Sequence, residues 1–136
     1  MNVMQSYTES TDLVMDGTAL AERLAQDGYL FIRGLVPTDA VENVGRQFLD
    51  VVAQGGWLDP DHPKRSRIAN RNIVCADPEP EFLQVFRRFY LSEDSHALKH
   101  HPNIVGLFER IFDEEVLVHP LFVARNIFPQ KEKLTT

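Results

Sequence analysis

At 136 residues the chain is long enough for one ordinary core and too short for two large ones. Hydrophobic residues at 43% and charged residues at 25% exclude a wholly disordered polymer. Lys and Arg number 14 against 20 Asp and Glu, and the net charge of −6 disfavours general binding to nucleic acid or to an anionic membrane surface. No apolar run approaches the ~20 residues of a membrane span, and Glu9 and Asp12 stand where a signal peptide carries bases, so a cytoplasmic protein is expected. The lone Cys75 allows no internal disulfide and leaves His, Asp and Glu as the metal-ligand types.

Residues 1–15 are polar and lack a sustained period, which predicts a flexible N-terminal arm ahead of one domain over 16–136. Leu20, Ala21, Leu24 and Ala25 recur at helical spacing from Thr18, and Gly28 supplies a left-handed stop. Tyr29 to Arg33 is aromatic and β-branched between glycines, and predicts a strand. A helix follows from Thr38 to Gln54, with Val41, Val44, Phe48, Leu49, Val51 and Val52 on its apolar face and Gly55-Gly56 ending it.

Prolines at 60, 63 and 78 punctuate a long loop from Trp57 to Pro80, with Lys64, Arg65, Arg67 and Arg71 crowded into its middle. Those charges suit an anionic ligand, since guanidinium pairs with carboxylate bidentately, and they equally suit a solvated loop paired with Asp59, Asp61 or Asp77. Phe82, Leu83, Val85, Phe86 and Phe89 mark another helix. Ser92 caps a short one reaching about His100, and His101-Pro102 starts a further one through Phe112. From Glu115 to Phe128 the chain is apolar on both faces, the pattern of a strand buried in a sheet, with His119 as a buried imidazole. Two strands do not make such a sheet, so pairing with further strands or with another chain is expected.

His96 and His100, four apart with Glu93 one turn earlier, form the sharpest metal pattern, against the plainer reading of cations at a helix C-terminus. Cys75 lacks a neighbouring base, and Gly55-Gly56 lacks the Lys-Ser/Thr of a phosphate loop.

Three segments in order, Gly28 to Pro37, Ala97 to Ile104 and Val116 to Leu121, resemble the phytanoyl-CoA dioxygenase family of iron(II)/2-oxoglutarate-dependent oxygenases, over roughly Thr18 to Pro129. The resemblance implies an α+β fold, with helices packed on the first strands of an incomplete double-stranded β-helix, or jelly roll. It also implies hydroxylation of a small organic substrate with Fe(II) and 2-oxoglutarate as cofactors. The family's iron is held by His-x-Asp and a distant His. None of the five His here is followed by Asp two positions later, so that motif is expected beyond Thr136. The chain then reads as truncated before its iron site, with no metal ligands, no catalytic residue and no cofactor bound by this chain alone. Arg71 and Ala124 map onto positions that line the oxoglutarate site in the family, and strand alternation sets Phe122 and Asn126 on the face of Ala124. The alternative function is a non-catalytic helical interaction module that self-associates through its terminal strand. On either reading Phe31, Phe48, Phe108 and Phe122 are expected to be buried between helices and strands.

Overall fold

The computed structural model describes residues 6–124, 126 and 128. Five α-helices follow in order: α1 (Gly17–Asp27), α2 (Thr38–Gln54), α3 (Pro80–Tyr90), α4 (Glu93–Lys99) and α5 (Pro102–Phe112). The chain divides into two compact units, residues 1–40 with 99–119, and residues 41–98 with 120–136.

In the first unit α1 begins at Asp16, whose carboxylate accepts from the Ala19 N–H at 3.0 Å, and ends at Gly28, which takes φ 75° while its N–H donates to the Leu24 carbonyl at 2.9 Å. Leu20, 0% exposed, and Leu107 supply the buried apolar contacts of α1 and α5. The two helices touch closely at Gly17: a Cβ there would collide with the Arg110 carbonyl oxygen. Arg110 Nε also donates to the Val14 carbonyl at 2.8 Å. α5 starts as its sequence dictates, with Pro102 in the first turn and His101 Nδ1 accepting from the Asn103 N–H at 3.2 Å. The 1–15 segment, expected as a flexible arm, makes specific contacts over its described residues. Ser10 is fully buried and its N–H donates to the Phe31 carbonyl at 2.8 Å, and the Tyr7 ring meets Tyr29 edge-on at 5.0 Å.

In the second unit the core joins Val52 of α2, Trp57, Cys75, Phe82, Val85 and Phe86 of α3, and Phe128. Its rings interlock: Phe82 stacks on Phe86 at 4.4 Å, Trp57 on Phe82 at 5.5 Å, and Phe128 meets Trp57 edge-on at 5.1 Å. α3 starts at Pro80, with the Glu79 carboxylate accepting from the Ala76 N–H at 2.8 Å. The 57–80 loop is closed on itself: an antiparallel bridge joins Leu58 and Ala69, the Asn70 N–H donates to the Trp57 carbonyl at 2.8 Å, and a 3-10 turn occupies Lys64–Ser66.

The expected α+β jelly-roll fold is corrected. Among the described residues there is no strand; two isolated bridges, Glu9 with Phe31 and Leu58 with Ala69, are all the sheet-like pairing. The Tyr29–Arg33 segment therefore makes one bridge instead of a strand. The Glu115–Phe128 segment, over its described part, is irregular, with Leu117 92% exposed and Leu121 and Val123 also exposed. The physical reason is that β-structure needs a ladder partner, and apolar alternation in one segment states a preference for a half-buried surface without supplying one. Lacking strands to cover, Phe108 lies outward and exposed beside Phe112, their rings stacked at 6.0 Å, while Phe31, Phe48 and Phe122 are only partly buried. His119 is likewise exposed, and its carbonyl accepts from Lys99 Nζ at 3.2 Å.

Candidate functional site

A cavity of about 350 Å³ lies in the 41–98/120–136 unit, walled by Phe48 and Val52 of α2 together with Trp57 and Phe128. Arg67 and Asn126 bring the polar groups of its lining. Arg67 closes the 3-10 turn in the left-handed conformation, φ 54°, with its N–H donating to the Lys64 carbonyl at 3.1 Å. The turn is tethered from below by the ion pair of Lys64 with Asp50 of α2. A guanidinium and a carboxamide beside an aromatic wall are the groups that suit a carboxylate joined to an apolar body, because the fork of Arg N–H groups matches two carboxylate oxygens.

The three residues singled out from the sequence do not converge. Asn126 lines the cavity, and Ala124 packs against the hydrophobic cluster that forms its wall. Arg71 is exposed on the loop, where it acts on Asp59 instead. The Asp59 carboxyl is held below its usual range first by the Asp61 backbone N–H it accepts, at 2.8 Å, then by the His62 ring at 3.2 Å and the field of Arg71. Of the basic loop, Lys64 pairs with Asp50, Arg71 sits in the field of Asp59, and Arg67 is the one that lines the cavity.

The histidine pattern resolves differently. His96 is half-buried in α4, its Nε2 2.7 Å from the Tyr90 carbonyl and its ring edge-on to Phe122 at 4.9 Å, and α4 ends at Lys99, one residue before His100. Donation from Nε2 to this carbonyl leaves Nδ1 as the one ring nitrogen of His96 with a lone pair. Among the described residues no three His, Cys, Asp or Glu side chains stand together as a metal site.

Sequence reasoning missed Arg67, Trp57 and Phe128 as partners in one cavity. Arg67 was visible as one of four basic loop residues, but its left-handed conformation, which sets it apart from Arg65 and Arg71, has no signal in the side chain. Among the described residues no helix is long and apolar enough to cross a membrane. Compared with known proteins, the chain matches no family model and no solved structure.

Proposed function

We propose that this chain is the helical portion of an iron(II)/2-oxoglutarate-dependent dioxygenase acting on a small organic substrate, and that its task is to hold a carboxylate-bearing molecule. Two things support the reading: the ordered resemblance of Gly28 to Pro37, Ala97 to Ile104 and Val116 to Leu121 to the phytanoyl-CoA dioxygenase family, and the cavity. The single observation that carries it is that Asn126, picked out on the sequence alone, lines the same apolar chamber as Arg67. The reading assigns iron binding to none of the described residues.

Anaerobic calorimetry of residues 1–136 with iron(II) tests that division of labour. No stoichiometric heat is expected at micromolar protein. Stoichiometric binding abolished by His96→Ala or His100→Ala would move the metal onto the α4 end and overturn it.

A second reading, a non-catalytic interaction module, is favoured by one observation: Phe108 and Phe112 form an exposed stacked pair one turn apart on α5. Oxoglutarate turnover distinguishes the two readings.

A further inference from the structure

The same unit holds a second, larger cavity of about 530 Å³, between the C-terminal end of α2, the 72–75 segment and α3. α3 presents Glu81, Gln84 and Arg88 to it, spaced i, i+3 and i+7 and therefore on one helix face. At 1.5 Å of rise per residue the two charged positions lie about 10 Å apart along the axis, with Glu81 at the first turn and Arg88 at the last. Arg88 Nη1 donates to Gln54 Oε1 at 3.1 Å, which steadies the guanidinium and leaves its other N–H groups for a ligand. Among the described residues no ion pair joins Glu81 to Arg88. Gln84 stands between the two charged positions on α3, Asn72 adds a second carboxamide to the lining, and Trp57 and Val85 supply the apolar surface. Gly55 lets α3 come this close: a Cβ there would lie 2.6 Å from Val85 Cγ2.

We propose that this cavity binds a small zwitterion whose charges are separated by an uncharged middle, its carboxylate on Arg88 and its ammonium on Glu81. An ω-amino carboxylate and a short unblocked peptide share that chemistry. A dicarboxylate such as 2-oxoglutarate would set its second anion against Glu81, so this site is separate from the carboxylate cavity and does not rest on the oxygenase reading. An α-amino acid is too short to reach both charges without drawing the two side chains together.

Trp57 is the only tryptophan and lines both cavities, so a fluorescence change counts for this one only where Glu81→Gln or Arg88→Gln, neither of which lines the carboxylate cavity, alters it. The probes are 6-aminohexanoate and triglycine, with hexanoate and hexylammonium as singly charged controls. Both zwitterions are expected to give a saturable change, and each control to bind about tenfold more weakly, the loss of one charge-assisted hydrogen bond. Which zwitterion binds tighter tells a free ω-amino acid from a peptide terminus. Glu81 and Arg88 are both exposed, so Glu81→Gln and Arg88→Gln leave the core untouched. Glu81→Gln should bring 6-aminohexanoate down to the hexanoate level while hexanoate itself is unaffected, which also shows the variant to be folded. Equal binding of all four probes, or no saturable response to either zwitterion, overturns the proposal.

Discussion

Replacing Phe86 by alanine is expected to remove about 3–5 kcal/mol from the stability of the 41–98/120–136 unit, the usual cost of truncating a buried phenylalanine. Phe86 is 1% exposed and its ring meets Phe82, Trp57, Phe48 and Tyr90 at centroid distances of 4.4, 5.6, 6.1 and 6.0 Å. Its neighbours are rings held by other rings, which collapse poorly into a vacated space, so the void adds to the lost transfer energy. Urea unfolding followed by Trp57 fluorescence measures the change. Leu91→Ala is the control: Leu91 is 84% exposed just past the end of α3, and its loss should shift the midpoint by no more than about 0.5 kcal/mol in free energy. A Phe86→Ala protein as stable as Leu91→Ala would mean that the aromatic cluster is not the core.

The second large effect falls in the other unit. Gly17→Ala places a methyl against the Arg110 carbonyl, a backbone atom that moves only if α5 moves, and is expected to destabilise the α1–α5 contact by about 1–3 kcal/mol, as overpacking does. Gly45→Ala, in the middle of α2 with open space around its Cβ position, should instead stabilise by about 0.5–1 kcal/mol through helix propensity. Opposite signs for the same substitution in two helices distinguish packing from propensity. Amide hydrogen exchange in α1 and α2 reads each locally, and a Gly17→Ala chain with unchanged protection in α1 would refute the close approach.

The helices were legible because their signals are local. Gly28 stops α1, the Gly55-Gly56 pair follows the end of α2, Pro80 opens α3, and His101-Pro102 opens α5, each within a residue or two of where the spacing set them. Strands were not legible, because a strand is decided by a partner distant in sequence. Tyr29–Arg33 and Glu115–Phe128 have the right residue types, yet Phe31 finds only Glu9 and the later segment finds no ladder among the described residues. Burial failed with the strands: Phe108 was assigned inward to cover a sheet, and without one it is 42% exposed.

The candidate site shows the same division. Asn126 was named by strand alternation from Ala124, a periodicity that the described residues do not adopt, whereas Arg67 and Trp57 reach the same cavity through the closure of a long loop, the Leu58–Ala69 bridge and the Trp57–Asn70 hydrogen bond, none of which is written in a local pattern. Arg71 illustrates the reverse. Its charge and place in the loop suggested a ligand, and the fold sets it in the field of Asp59.

The most direct test of the central claim is succinate formation from 2-oxoglutarate by the polypeptide of the complete reading frame that contains these residues, assayed with and without iron(II). The account predicts iron-dependent succinate, with the double replacement Arg67→Leu and Asn126→Leu raising the KM for the carboxylate-bearing molecule about tenfold, the loss expected when a charge-assisted hydrogen bond goes unmade. No iron-dependent succinate from that polypeptide would contradict it and leave the exposed Phe108–Phe112 pair as the better guide to what this chain does.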